Sequence, residues 1–120
     1  MHKFDLNNRT AIITGGAQGF GLDIAKRFLN SGAKVIIWDI DENELIKASK
    51  ELNSSNLSYH VVDVSNFKNI KETTEEITKS SNIDILVNNA GITGSTSALW
   101  DYDVDEWNKI VQINLMGTFN

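Results

Sequence analysis

Four short apolar runs recur along the chain, and each is followed by a segment whose apolar residues return every three or four positions. The runs are Ala11–Thr14, Lys34–Asp39 (carrying Val35, Ile36 and Ile37), Leu57–Val62 and Ile83–Val87. None alternates cleanly with polar residues, which is the pattern of strands covered on both faces. The intervening periodicity predicts a helix from about Gln18 to Ser31, closed by Gly32, and another over Glu42–Leu52 with Leu45, Ala48 and Leu52 on one face. A third opens at Ser65 and buries Phe67, Ile70, Thr74 and Ile77; a last one is capped by Asp103. Asp41 with Glu44, and Asp103 with Glu106, have capping-box spacing with Asp in the cap role. Strands alternating with helices, joined by right-handed crossovers, restrict the topology to an α/β, Rossmann-like, doubly wound parallel sheet, most simply ordered 3-2-1-4.

Length and composition narrow this further. The 120 residues form one domain or part of one, with no internal repeat, low-complexity tract or linker. A net charge of −5 without a basic block argues against nucleic acid as a partner. The absence of cysteine excludes disulfides and thiolate metal sites and fits a reducing compartment. The N-terminus has no apolar core of a signal peptide, and no run approaches the ~20 apolar residues that span a bilayer. A soluble, cytoplasmic protein with no membrane partner is therefore expected.

The candidate chemistry sits at the ends of the apolar runs. Thr14-Gly15-Gly16-Ala17-Gln18-Gly19-Phe20-Gly21 lies between the first strand and the first helix. A glycine-rich turn in that place lets backbone approach a pyrophosphate, while the helix N-terminus offers unpaired N–H groups and about half a positive charge. Gly15 suits a tight turn of positive φ, Gly19 leaves room for phosphates, and Gly21 permits close packing of helix on strand. Alone, the turn also suits a ligand-free βα unit. Asp39 ends the second strand, about 20 residues beyond the turn, where a carboxylate accepts hydrogen bonds from ribose hydroxyls and repels a 2′-phosphate. Ile40 and Asp41 follow it, with no Arg or Lys, so the reading favours NAD over NADP. Asp63-Val64, after the third strand, suit an adenine amino group and ring face, or simply a turn before Ser65. Asn88-Asn89-Ala90-Gly91 follows the fourth strand, at the edge where open sheets bind ligands, though Asn and Gly also make ordinary turns.

Together these residues resemble the short-chain dehydrogenase/reductase family in its compact type, with Gly15, Gly19 and Gly21 as its Gly-x-x-x-Gly-x-Gly turn. Asp39, Asp63-Val64, Asn88-Asn89-Ala90-Gly91, and Asn114 within Val111-Gln112-Ile113-Asn114-Leu115 match its remaining motifs across essentially the whole chain. The resemblance implies an oxidoreductase that moves a hydride between NAD(P) and an alcohol or carbonyl carbon. It implies that Gln18 and Phe20 lie along the pyrophosphate and toward the nicotinamide. Asn89, Ala90 and Gly91 would contact the adenosine side, and Asn88 would brace neighbouring strands. A homo-oligomer, with residues 104–120 in one interface, is also implied.

Asn114 shares a helix face with Trp107, Ile110 and Val111, and an amide left unpaired there would cost about 1–3 kcal/mol. The pattern alone suits a buried structural Asn; the resemblance implies instead a catalytic role, its backbone carbonyl holding a water that connects a lysine to solvent. The family's proton donor is a Tyr with a Lys four residues later, and a Ser upstream. Here Tyr59 is followed at that spacing by Asp63 and Tyr102 by Glu106, and a carboxylate raises a phenol pKa instead of lowering it. The expectation is the cofactor-binding N-terminal portion of a longer enzyme, ending before the catalytic segment, marginally stable and inactive alone. The alternative is a non-catalytic NAD-binding or regulatory module complete at this length. The substrate is open: Leu99-Trp100-Asp101-Tyr102 with Asp105-Glu106-Trp107 looks like members acting on sugars and polyols, while the overall pattern also resembles 3-oxoacyl thioester reductases.

Overall fold

A computed structural model of the chain describes residues 3–120. Strands β1 (Thr10–Thr14), β2 (Lys34–Asp39), β3 (Leu57–Val61) and β4 (Ile85–Val87) form one sheet in the order β3-β2-β1-β4, and every pairing is parallel. Helices α1 (Gly19–Asn30), α2 (Glu42–Leu52) and α3 (Phe67–Thr78) make the crossovers. Beyond β4 the chain runs without regular structure to a 3₁₀ turn at Leu99–Asp101 and then enters α4 (Val104–Val111). A π-turn at Gln112–Met116 leads to the short α5 (Gly117–Phe119).

The period of two along a strand divides the core into two layers. Ile13, Val35 and Ile37 face α1 and α2, where they meet Ala25, Leu45 and Ala48. Ile12, Ile36 and Trp38 face α3 and meet Ile77, with Val62 in the same cluster. The central strands β1 and β2 are thus apolar on both sides, as a parallel sheet requires. The edge strands are less covered, and Leu86 on β4 is exposed.

The ends of the helices follow local chemistry. The Asp41 carboxylate accepts from Glu44 N at 3.1 Å, and Asn53 ends α2 in the left-handed region at φ 41°. Two expected caps differ. Asn66, not Ser65, caps α3 by accepting from Asn69 N at 3.0 Å, because Ser65 is drawn into a turn with Asp63. Asp103 caps α4 through Asp105 N at 3.2 Å, but Glu106 makes no reciprocal capping bond and turns to Ser95 instead. The face shared by Trp107, Ile110, Val111 and Asn114 is likewise altered: the π-turn adds a residue to the helical repeat, and Asn114 lies exposed.

Candidate nucleotide site at the carboxyl edge of the sheet

Because all four strands run the same way, their carboxyl ends bring Gly15, Asp39, Asp63 and Asn89 to one edge. A cavity of about 340 Å³ opens there. Gly15, Gln18 and Phe20 form its wall on the α1 side; Asp39 and Ile40, with Asp63 and Val64, form the side at the carboxyl ends of β2 and β3. Asn89, Ala90 and Gly91 close the side at the carboxyl end of β4. Val62, Ile92 and Ile113 also line it, three apolar positions that sequence periodicity assigned only to packing or loop. No lysine or arginine among the described residues lines it.

The glycine turn is shaped by close approach. Gly15 has φ 63°, and a Cβ there would lie 2.9 Å from Ala90 Cα. At Gly21 a Cβ would run into the Gly15 carbonyl and come within 2.7 Å of Asn89 Nδ2, so the third glycine brings the helix onto the turn itself. At Gly19 (φ 60°) a Cβ would meet nothing within 4 Å, leaving open space before the first turn of α1. Gln18 occupies the N-cap position, and its side chain makes no capping bond. The first-turn N–H groups of α1 are thus left for a ligand, and the space and the donors fit a pyrophosphate.

Thr14, the last residue of β1, ties this turn to the loop after β4. Its buried hydroxyl accepts from Asn89 N at 3.1 Å and Ala90 N at 3.0 Å and donates to Val87 O at 3.4 Å. Asn89 returns the contact, its amide donating to Thr14 O and Gly15 O, both at 3.1 Å. The Asn89 side chain therefore holds the turn, and its place in the cavity wall follows from that. Sequence reasoning missed Thr14; the available signal was a hydroxyl at the carboxyl end of an otherwise apolar strand.

Asp39 is half-buried, with Oδ2 accepting from Ala17 N at 3.3 Å and Oδ1 from Asp41 N at 3.2 Å. Two long bonds leave further lone pairs on both oxygens. Asp63 makes the expected turn, Oδ1 accepting from Ser65 N at 2.9 Å and Ser65 Oγ at 2.6 Å, and it also lines the cavity. Asn114 finds both partners on one residue: Ile92 N donates to its Oδ1 at 2.9 Å, and its Nδ2 donates to Ile92 O at 2.8 Å. Its backbone carbonyl accepts from Thr118 Oγ1 at 3.3 Å. Tyr102 packs edge-on against Trp107 with ring centroids 6.0 Å apart, and Tyr59 packs on the core beneath α1 and α2.

A doubly wound parallel sheet with a glycine turn and a strand-end carboxylate defines a dinucleotide-binding type of architecture. The family model for short chain dehydrogenases matches residues 9–120, and the chain belongs to that family. It is 35% identical over 114 residues to the 2-dehydro-3-deoxy-L-rhamnonate dehydrogenase (NAD(+)) of a Sphingomonas strain, covering 92% of this chain and 44% of that protein. It resembles the 3-ketoacyl-(acyl-carrier-protein) reductase of Brucella melitensis complexed with NADH, with a TM-score of 0.89 and 33% identity over 96% of this chain and 47% of that one. A Pseudomonas aeruginosa RhlG/NADP active-site complex matches with a TM-score of 0.87 and 33% identity, covering 99% of this chain and 47% of that one. The chain spans less than half the length of these relatives. Among the described residues no helix is long and apolar enough to cross a membrane.

Proposed function

We propose that this chain is the cofactor-binding portion of an NAD-preferring cytoplasmic oxidoreductase that moves a hydride between NAD(H) and an alcohol or carbonyl carbon. The carrying observation is the Asp39 carboxylate in the same cavity as the glycine turn, a cavity that no lysine or arginine lines among the described residues. The relatives named for NAD(+) and NADH support the reading, and the NADP complex shows that the fold itself accommodates both cofactors.

The bound cofactor supplies the hydride chemistry. The first turn of α1 holds the pyrophosphate, and Gly19 leaves it room. Asp39 accepts from the ribose hydroxyls, and Ile40, Asp63 and Val64 receive the adenine. Asn89, through Thr14 and Gly15, keeps the turn in shape, while Ala90 and Gly91 bound the adenosine side. Gln18 and Phe20 extend the wall toward the nicotinamide. Asn114 holds a water through its carbonyl. The proton step of such an enzyme needs a Tyr-x-x-x-Lys, and neither Tyr59 nor Tyr102 has a Lys at that spacing. The substrate class is a small hydroxyl or keto compound, in keeping with a sugar-acid dehydrogenase and a ketoacyl reductase among the relatives. Exposed Val104, Trp107, Leu115 and Phe119 on the last helical segments support a homo-oligomer.

Titration calorimetry with NAD⁺ and NADP⁺ tests the cofactor assignment: NAD⁺ binds more tightly, and no heat with either removes it. Reading the coding sequence past Asn120 tests the division of labour. An in-frame Ser and Tyr-x-x-x-Lys support the enzyme; a native stop there leaves the non-catalytic module.

A further inference from the structure

The loop after β4 forms part of the cavity wall through Gly91 and Ile92, yet residues 88–98 have no helix or ladder to hold them. Asn114 fixes Ile92. Three residues further on, a second attachment is made by Glu106, on the first turn of α4. Ser95 N donates to Glu106 Oε1 at 2.6 Å, and Ser95 Oγ donates to Glu106 Oε2 at 2.6 Å. Both oxygens of one carboxylate are thus engaged by one loop residue through short, charge-assisted bonds. Gly94, at φ 70°, lies so close that a Cβ would sit 2.6 Å from Tyr102 Oη and 3.1 Å from Glu106 Oε1. The loop therefore reaches α4 through backbone as well as side chain, and the approach needs glycine at 94. A carboxylate on the first turn is also favoured by the N-terminal end of α4.

We propose that Glu106 is a positioning residue that latches the loop after β4 to α4 and so fixes the wall of the cavity at Gly91 and Ile92. The proposal rests on the dinucleotide reading of that cavity. Glu106 does not itself line the cavity; it acts through Ser95. Without it, Thr14 holds the loop at Asn89 and Ala90 and Asn114 holds it at Ile92, while residues 93–98 detach. A site whose competent wall is populated only part of the time binds its ligand more weakly by that fraction. Glu106→Ala is therefore expected to weaken NAD⁺ binding about threefold or more. Ser95→Ala removes one of the two bonds and leaves the carboxylate on α4, so it separates loop fixation from any effect on the helix. Its effect lies between wild type and Glu106→Ala.

The experiment pairs backbone hydrogen exchange over residues 92–98 with NAD⁺ titration of the full-length protein, for wild type and both variants. The proposal expects exchange across that loop to quicken about tenfold or more in Glu106→Ala, with β1 and β2 as protected as before, together with the weaker NAD⁺ binding. Unchanged loop exchange overturns the latch. Quickened exchange with unchanged NAD⁺ affinity overturns the positioning role. A wild-type protein that binds neither NAD⁺ nor NADP⁺ overturns the cofactor reading and the positioning role with it, and is recognised by the wild-type titration alone.

Discussion

Replacing Asp39 isolates the feature that selects the cofactor. In the wild type its half-buried carboxylate lies on the cavity wall, held by Ala17 N at 3.3 Å and Asp41 N at 3.2 Å. A 2′-phosphate on the adjoining ribose would place a second negative charge about 5 Å away. At an effective dielectric near 20, that repulsion is about 3 kcal/mol, or roughly a hundredfold in affinity. The two backbone N–H groups offset part of it, so about tenfold to a hundredfold is the working range. Hydrogen bonds from the ribose hydroxyls to a charged acceptor add about 1.5–3 kcal/mol to NAD⁺ binding. Asp39→Ala should therefore weaken NAD⁺ about tenfold or more, leave NADP⁺ no weaker, and collapse the ratio between them. Asp39→Asn keeps an oxygen for Ala17 or Asp41 while removing the charge, so it separates electrostatics from local structure. Calorimetric titration of both cofactors into the three proteins, at one low ionic strength, gives the ratios. An unchanged preference for NAD⁺ in both variants would refute the argument from charge.

Three further perturbations test the scaffold of the site. Thr14→Val removes the acceptor of two backbone N–H groups in a buried position, so urea unfolding should show a loss of about 2–4 kcal/mol that Thr14→Ser largely restores. Gly21→Ala would gain up to about 1 kcal/mol from helix propensity alone. The Gly15 carbonyl in its way reverses the sign, so a net loss of about 1–3 kcal/mol and impaired NAD⁺ binding are expected, and a stabilised protein would contradict the packing. The Glu106 carboxyl is held below its ordinary value of 4.5 by the Ser95 hydroxyl first, then the Ser95 amide, with Lys109 adding a smaller effect. A lowered folded pKa means that its stabilisation is complete above the unfolded value and is lost as pH falls through the folded one. The melting-temperature advantage of wild type over Glu106→Gln should hold from about pH 7 to 5 and fade in more acid solution.

Much of the fold is local in origin and was legible for that reason. The four apolar runs carry enough β-branched, two-faced character to identify a parallel sheet, and crossover handedness then limits it to a doubly wound topology of which β3-β2-β1-β4 is the simplest order. The glycine turn and the strand-end acids were readable because the sheet places strand ends together wherever the loops lie. What periodicity could not show is contact between segments far apart in sequence. Glu106 at three residues from Asp103 has the spacing of a capping box, and nothing local announces that Ser95 competes for it. A 3.6-residue repeat puts Asn114 on an apolar helical face, and the π-turn at Gln112–Met116 breaks that repeat. Thr14 reads as one more strand residue because its partners, Asn89 and Ala90, come from the loop after β4, adjacent in the sheet but about 75 residues on in sequence.

The central claim is that this cavity binds NAD through residues contributed by all four strand ends. Amide chemical-shift mapping of the ¹⁵N-labelled protein during NAD⁺ titration tests it most directly. The account predicts saturable shifts concentrated at Gly15–Gly21, Asp39–Ile40, Asp63–Val64 and Asn89–Ile92, with Asp84 at the opposite end of the sheet unmoved. Saturable shifts that bypass Gly15–Gly21 and Asp39, or none at millimolar NAD⁺, would contradict it.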